Sequence, residues 1–270
     1  MVEKKAAAPK GASKKAVKKV QDSAVQQNGE VKASGRKPKV QKFGRGKKYL
    51  AVLPKVEKNK LYVANEAIKL AQETSPSKFD ATVELHIAMG LDPKKPEQNI
   101  RGTVLMPAGT GKTRKILVLA EEADAKKAKA AGADHVGLEE MIKKIQDGWM
   151  DFDLVIATPM VMAQVGKLGQ TLGTKGLMPN PKSGTVTADP AKAVEEFKKG
   201  KVEFRLDKDA IIHLGFGKVS FATDDLMKNF KAVVDAIKVA KPATSKGTYM
   251  KRMSVTTTMG PGIKVDLGSI

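Results

Sequence analysis

The sequence predicts a mixed α/β (α+β) fold of two domains, and three observations lead to that prediction. The chain has 270 residues, the length of one large or two medium domains, and its 41% hydrophobic content is sufficient for packed cores. Strands near both ends alternate apolar and polar residues, which is typical of half-buried strands. Strands in the middle are continuously apolar, which is typical of parallel strands covered on both faces.

Residues 1–43 form a segment of low complexity, in which Lys, Ala, Gln, Ser and Gly predominate. Such a segment buries too little apolar surface to offset the entropy of ordering, so we predict a disordered Lys/Ala-rich extension. The formal net charge of the chain is +20, and residues 1–48 hold 15 Lys and Arg against 3 Asp and Glu. A basic excess of this size predicts a polyanionic partner, either nucleic acid or an anionic membrane.

Residues 44–107 begin the first folded part of the chain. Apolar residues at helical spacing predict a helix over residues 62–73. From Thr82 to Met89, polar and apolar residues alternate, which predicts a half-buried strand. A further strand is predicted from Thr103 to Met106.

Residues 108–200 have a different pattern. Continuous apolar runs at 116–120 and 154–157 predict buried strands, and each run precedes a segment of helical character. Helices are predicted over residues 123–132 and 141–148, with a short strand at Val136 between them. This alternation of strand and helix predicts a small parallel α/β domain.

Residues 201–270 return to the alternating style of the first part. Strands are predicted at 202–206, 211–216, 249–258 and 263–267, and a helix with an apolar stripe is predicted at 224–240. Because the two ends of the chain share one style, we predict one discontinuous domain from residues 44–107 and 201–270. Residues 108–200 are then a second domain inserted into it.

Several classes of protein and of site are disfavoured by composition. The chain has no cysteine and 3 histidines, so we predict neither a metal site nor a cofactor. No apolar run approaches the roughly 20 residues of a membrane span, and the N-terminus lacks the apolar core of a secretory signal. We therefore predict a cytoplasmic protein with no membrane partner.

The segment from Pro107 to Thr113 superficially suggests a nucleotide-binding loop. A P-loop requires a glycine where this chain has Met106, and it must open a helix so that its backbone N–H groups surround phosphate. Here the chain instead continues into the strand predicted at residue 116. We interpret the segment as a connection between the two domains, and no activated nucleophile that would indicate an enzyme is visible.

The segment from Ser254 to Gly262 has the strongest functional signal. Three consecutive threonines end a predicted strand, with Thr256 and Thr258 on one face and Thr257 on the other. A small, hydroxyl-rich edge fits against a sugar-phosphate backbone and its 2′-hydroxyl groups. The alternative is an ordinary edge strand that ends in a tight turn.

Two further basic segments are candidates for contact with phosphate. In the first, Lys218 and Ser220 are predicted to share one face of a strand, or else to belong to an ordinary strand. In the second, residues 166–181 are rich in glycine and proline, and Lys167, Lys175 and Lys182 either contact phosphate or lie on a long surface loop. Aromatic residues are only 4% of the chain, which favours recognition of folded RNA over stacking on single-stranded bases.

Together these motifs carry a resemblance to a known family. The segments that carry it begin at Lys78, Arg101, Trp149, Gly176, Gly217 and Thr256, and read KFDATVE, RGTV, WMDFD, GLMPNPK, GKVSF and TTTMGP. The chain from about residue 44 to the end resembles the bacterial family of large-subunit ribosomal protein one, whose members form the mobile stalk at the tRNA exit site. The resemblance implies a split α/β sandwich domain formed by both chain ends and an inserted Rossmann-like α/β domain without a nucleotide.

The resemblance also implies the function and the contact residues. Members bind an rRNA stalk of the large subunit, associate with other ribosomal components, move with exit-site tRNA, and in many cases repress translation of their own mRNA. The implied RNA-binding residues are Phe79, Thr82, Glu84, Lys218, Ser220, Thr256, Thr258, Met259, Gly260 and Pro261. Secondary RNA contacts are expected at Lys47, Lys48, Lys167, Lys175 and Lys182.

A different class of function remains open from the residues alone. A free DNA- or chromatin-type protein would use the same basic extension to bind phosphate. It would also need a helix rich in Arg, Asn or Gln to read a groove, whereas the helix predicted at 224–240 has Asp224, Asp225 and Asp235 among its lysines. Preference for folded RNA over duplex DNA separates the two hypotheses.

Overall fold

The computed structural model describes residues 46–57, 59–245 and 247–269, which all belong to one compact unit. Within it, helices and several sheets alternate along the chain, and this confirms the predicted mixed α/β class. The extension predicted over residues 1–43 lies outside the described residues. No helix in the described part is long and apolar enough to cross a membrane.

The described residues form eight α-helices, which alternate with the strands along the chain. They are α1 (Lys47–Val52), α2 (Ala64–Glu73), α3 (Glu122–Ala130), α4 (Glu139–Gln146), α5 (Met162–Val165), α6 (Gly169–Thr174), α7 (Pro190–Lys198) and α8 (Thr223–Val239). Short 3-10 helices accompany them at Leu53–Lys55, Pro96–Gln98, Pro159–Val161, Gly166–Leu168, Pro181–Ser183 and Leu267–Ser269.

The strands form three separate sheets. They are β1 (Thr82–Met89), β2 (Arg101–Leu105), β3 (Ile116–Leu119), β4 (His135–Gly137), β5 (Leu154–Ala157), β6 (Lys201–Arg205), β7 (Ile211–Lys218), β8 (Met250–Thr257) and β9 (Ile263–Val265). The first sheet is antiparallel with the order β7-β1-β8-β9, and β2 pairs antiparallel with β6. The third sheet is parallel with the order β4-β3-β5.

The four-stranded sheet has one buried and one accessible face. Along β1, Val83, Leu85, Ile87 and Met89 are buried, and the residues between them are partly exposed. Helices α2 and α8 pack on the buried face and contact one another. The accessible face carries the alternate residues of all four strands, so the predicted period of two is confirmed.

The parallel sheet is covered on both faces. All four residues of β3 are buried, and they contribute to two different apolar clusters. Leu117 and Leu119 belong to the cluster with α4 and α6, whereas Ile116 and Val118 belong to the cluster with α3 and α7. The continuous apolar runs are therefore parallel strands that are covered on both faces, as the sequence predicts.

The third apolar cluster joins residues from both ends of the chain, from Val56 to Met106 and from Val202 to Val265. Where the chain leaves this cluster, Met106 donates a hydrogen bond to the carbonyl of Gly200, where it returns (3.2 Å). The buried Asn229 amide accepts from Ala108 N–H (3.0 Å) and donates to the carbonyl of Gly109 (2.9 Å). The division into domains at 44–107 with 201–270 and at 108–200 stays a prediction.

One predicted element was wrong. Residues 166–181 were expected to form either a flexible basic loop or a long surface loop, but the first half of this segment is helical, through Gly166–Leu168 and α6. Leu168 and Leu172 point from these turns into the core, and their burial outweighs the low helix propensity of the glycines.

Candidate nucleic-acid interface

A groove of about 770 Å³ opens beside two exposed apolar side chains, those of Phe79 and Met259. Phe79 is 61% exposed and Met259 is 73% exposed, although large apolar residues are usually covered. The groove is lined by Gly46, Lys47, Lys48, Tyr49, Pro76, Ser77, Lys78, Phe79, Met259 and Gly260. A lining that combines apolar side chains with three lysines suits a ligand that is anionic and partly apolar.

Met259 is held in an unusual backbone conformation. Its φ is +67°, in the left-handed region that non-glycine residues seldom adopt. The turn is closed by Gly260, whose N–H donates to the carbonyl of Thr257 (2.7 Å). A Cβ on Gly260 would lie 2.2 Å from Thr257 Oγ1, so only glycine fits here without displacement. The fold thus maintains a strained turn that presents an apolar side chain to solvent, which is a mark of a functional position.

Thr82 and Thr258 join the ends of β1 and β8 beside this turn. Thr258 N–H donates to Thr82 O (3.0 Å), and Thr82 N–H donates to Thr258 Oγ1 (3.1 Å). Both side chains are partly exposed. The two threonines therefore form a polar margin at the ends of the two central strands of the four-stranded sheet. Because β8 lies between β1 and β9, the alternative interpretation of this segment as an edge strand is wrong.

Thr256 and Glu84 are directly paired across β8 and β1. Thr256 Oγ1 lies 3.2 Å from both the Gly260 and the Pro261 carbonyl oxygens, so its hydroxyl hydrogen bonds to the turn. Its oxygen can still accept a hydrogen bond from a ligand. The Pro261 ring is buried, which means that this residue shapes the turn and does not offer a contact surface of its own.

Lys218 and Ser220 do not share one face of a strand, which corrects the sequence prediction. β7 ends at Lys218, and Ser220 lies in the following turn. Both are instead gathered around Asp80. Lys218 Nζ donates to the Asp80 carbonyl (3.1 Å), and Ser220 Oγ donates to Asp80 Oδ2 (2.9 Å). These hydrogen bonds fix the loop that carries the neighbouring Phe79.

The predicted secondary contacts fall into two groups. Lys47 and Lys48 line the groove itself, so the structure brings them together with Phe79 and Met259. Lys167, Lys175 and Lys182 are exposed on the helical segment of the middle region, and none of them lines that groove.

The segment from Pro107 to Thr113 has no structure suited to nucleotide. It is irregular, with positive φ at Gly109 and Gly111, and it leads into β3 and not into a helix. The side chain of the buried Asn229 forms hydrogen bonds to the backbone of this segment at Ala108 and Gly109. Among the described residues, no group of three or more His, Asp or Glu side chains is placed to hold a metal ion.

Sequence reasoning did not single out Tyr49, Pro76, Ser77, Lys78 or Asp80. The side chain of Asp80 organises the turn after β7, some 140 positions along the chain, and no local pattern reveals such a partner. Lys78 gave a usable signal, because it is a cation directly before an aromatic residue that no helical or strand period places in the core.

Comparison with known proteins gives concordant results. Residues 71–261 match the family model described as the Ribosomal protein L1p/L10e family. The chain is 56% identical over 222 residues to a protein of Macrococcus caseolyticus (strain JCSC5402) named large ribosomal subunit protein uL1. That alignment covers 82% of this chain and 96% of the relative.

Proposed function

This chain belongs to the ribosomal protein L1p/L10e family, and from that premise we propose that it binds an rRNA stalk through the groove between Phe79 and Met259. Members of the family are structural and not enzymatic, and this chain is a constituent of the large ribosomal subunit that takes part in translation. The predictions of a ribosomal protein and of a non-enzyme are thereby confirmed.

The observation that carries the proposal is the pair of exposed apolar side chains that line one groove, one of them at a turn with positive φ. The apolar side chains of Phe79 and Met259 are exposed to water, which is unfavourable. Covering them with a base or a ribose removes this apolar surface from water and therefore favours binding. Lys47, Lys48 and Lys78 line the same groove and supply positive charge for the flanking phosphates.

The threonine margin supplies the polar contacts. Thr82 and Thr258 are held together by one backbone hydrogen bond and by one from Thr82 N–H to Thr258 Oγ1, so their positions are fixed before RNA arrives. Preorganised hydroxyl groups bind ribose 2′-hydroxyls with little loss of side-chain entropy. Glu84, a partly exposed acceptor, accepts from 2′-hydroxyl or amino groups and disfavours a misplaced phosphate. In the proposal, Lys218 and Ser220 extend this surface, whereas Lys167, Lys175 and Lys182 add weaker contacts.

The test is a binding titration at physiological salt with the purified chain. A large-subunit rRNA stalk fragment is compared with an unrelated RNA hairpin of equal length and with duplex DNA. We expect a preference of about 10³-fold or more for the stalk. Equal binding to all three would show that only nonspecific attraction to phosphate operates, as the DNA- or chromatin-binding alternative requires.

The groove is tested by replacing its two apolar side chains. The double variant Phe79→Ala/Met259→Ala is expected to lose about 10²-fold of stalk affinity, since covering each apolar side chain contributes about 1.5 kcal/mol. Met160→Ala is the matched control, because Met160 is 78% exposed but lies far along the chain in the 3-10 helix Pro159–Val161. Equal affinities of the double variant and the control would refute the proposed groove.

The extension over residues 1–43 is proposed to add nonspecific affinity for phosphate. Its deletion should flatten the dependence of binding on salt concentration and leave the preference for the stalk intact. A salt dependence that is the same with and without these residues would exclude this role.

Two further roles are proposed for the same RNA site, one in the release of tRNA and one in the regulation of translation. We propose that the stalk bound by this chain moves with exit-site tRNA and assists its release, which is measured as tRNA release from ribosomes that contain or lack the chain. We also propose that the groove binds the chain's own mRNA and represses its translation. In that case the mRNA leader competes with the stalk fragment, and Phe79→Ala/Met259→Ala weakens both complexes together.

A further inference from the structure

The accessible face of the four-stranded sheet carries a row of polar side chains that crosses every strand. His213 on β7 is paired with His86 on β1, His86 with Ser254 on β8, and Ser254 with Lys264 on β9. Adjacent strands lie about 4.8 Å apart, so the row is about 14 Å long. None of these residues belongs to the RNA-binding residues considered so far.

A depression of about 460 Å³ lies along this row. It is lined by His86, Ala88, Ile211, Arg252, Met253, Ser254, Gly262 and Lys264. Two of the lining residues carry permanent positive charge, one has a hydroxyl group, and none has a carboxylate. In the described part of the chain, neither Arg252 nor Lys264 forms an ion pair, so both cations are available to an anion.

The histidine pair adds a group that responds to an anion. His86 Nδ1 and His213 Nδ1 are 2.7 Å apart, so one ring donates a hydrogen bond and the other accepts it. Burial lowers the pKa of His86, and His213 lowers it further, while Glu84 opposes both effects from 3.7 Å. The other charged groups that surround the depression are Arg252 on β8 and Lys264 on β9.

The row is continuous with the proposed RNA surface. His86 and Ser254 come two residues after Glu84 and two residues before Thr256 on the same faces of β1 and β8. A two-residue step along a strand is about 6.6 Å, so the depression lies directly beside the Glu84–Thr256 pair. An RNA strand that leaves the threonine margin along these strands therefore passes over it.

We propose that this depression binds a backbone phosphate of the RNA held at the groove, through Arg252, Lys264, Ser254 and His86, whose ring is held by His213 from outside the depression. The inference rests on the proposed function, and it extends the RNA surface from the edge of the sheet across its accessible face. Arg252 and Lys264 supply the charge, and Ser254 donates a hydrogen bond from its hydroxyl. The His86 imidazole takes up a proton more readily when the phosphate is present, because an adjacent anion favours imidazolium.

The charge is tested with Arg252→Gln/Lys264→Gln, since both side chains are exposed. The matched control is Lys231→Gln/Lys238→Gln, which removes the same charge from α8, on the opposite side of the sheet. With the full chain and the rRNA stalk fragment, we expect the test variant alone to lose about tenfold in affinity. Its slope of log affinity against log salt should fall by about 0.7–0.9 for the one phosphate that is no longer neutralised. Equal affinity and slope in the two double variants would overturn the inference.

The histidine pair is tested by NMR titration of the imidazole signals. The pKa of His86 should rise when the stalk fragment binds, and the affinity should accordingly increase as the pH falls. His86→Asn should remove this pH-dependent increase. A His86 pKa that is the same in the free and bound chain would contradict the inference.

The two proposals fail in distinguishable ways. If Phe79→Ala/Met259→Ala weakens stalk binding but Arg252→Gln/Lys264→Gln does not, the groove stands and the phosphate site is wrong. If the chain shows no preference for the stalk, the proposed function fails. Inorganic phosphate then serves as the probe of the depression. Its addition shifts the His86 signals if the site exists and leaves them unchanged if it does not.

Discussion

Two glycine-rich segments of this chain resemble one another in sequence but differ in structure. Residues 166–181 contain four glycines and residues 254–262 contain two, both segments contain proline, and both were candidates for nucleic-acid contact. In the first segment, a Cβ on Gly166, Gly169 or Gly173 would meet no other atom within 4 Å. In the second, a Cβ on Gly260 would collide with Thr257.

This difference in the space around the glycines separates a glycine that is required for the shape of a turn from one that is not. The glycines of the first segment lie on helical turns whose apolar residues, such as Leu168 and Leu172, are buried in the core. Gly260 closes a turn whose apolar residue, Met259, faces solvent. Close approach of neighbouring atoms to a glycine, together with an exposed apolar side chain, distinguishes the proposed interface, whereas glycine content alone does not.

The largest effect is expected from Gly260→Ala. The new Cβ displaces the turn, which should lower the free energy of unfolding by about 1–3 kcal/mol and move Met259 out of position for RNA. Thermal unfolding and stalk-binding titrations measure the two effects. Gly262→Ala is the control within the same turn, because no atom lies within 4 Å of its Cβ. A similar loss in both variants would show that the close approach at Gly260 is not the cause.

The next effect is expected from Thr258→Val. Valine keeps the shape of the side chain but leaves Thr82 N–H without its hydroxyl acceptor. Valine also lacks the hydroxyl group that would hydrogen bond to RNA, so we expect a loss of about 1–3 kcal/mol of stalk-binding free energy, a factor of about 5 to 150 in affinity. Thr171→Val makes the same chemical change in the other glycine-rich segment and should leave the affinity unchanged. Unchanged affinity for Thr258→Val would remove this residue from the interface.

A smaller effect of opposite sign is expected from Gly173→Ala. Gly173 is exposed within α6, and alanine is favoured over glycine inside a helix by about 0.5–1 kcal/mol. The free energy of unfolding should rise by about this amount, as measured by denaturant titration, and stalk affinity should not change. A decrease in stability would mean that this glycine has a close neighbour after all.

The smallest effect on affinity is expected from neutralising the lysines of the first segment. The triple variant Lys167→Gln/Lys175→Gln/Lys182→Gln should reduce the salt dependence of stalk binding by about 0.7 for each phosphate that these lysines neutralise. Its control replaces three lysines of the same region that already pair with carboxylates, namely Lys127, Lys192 and Lys199. Identical salt slopes for the two triple variants would assign RNA binding to the sheet alone.

Much of the fold was predictable from periodicity. The alternation along β1 and the apolar run of β3 each specify how many faces of a strand are covered, and the structure confirms both. The helical turns around Leu168 were not predicted, because glycine has a low helix propensity and the segment contains several glycines. Burial of Leu168 and Leu172 outweighs this low propensity. The spacing of Val165, Leu168 and Leu172 is helical and was the signal that could have found them.

The site was predictable only in part. Phe79 and Met259 follow from resemblance to a family, but their exposure and the left-handed turn at Met259 require coordinates. The partnership of Asp80 with Ser220 and that of His86 with His213 depend on the strand register between distant segments. Local sequence patterns do not specify such a register, because it is fixed by the packing of the whole sheet.

The hydrogen bonds between Thr82 and Thr258 span 176 positions of the chain, which has a consequence for the order of events during synthesis. By contrast, β3, β4 and β5 lie within residues 116–157 and assemble from neighbouring segments. Long-range pairing is slow because the intervening loop must close first. A nascent chain therefore completes its middle region early and carries β1 without either neighbour until β7 and β8 have emerged. The proposed RNA surface is therefore completed only late in translation, after the last strands that build it have emerged.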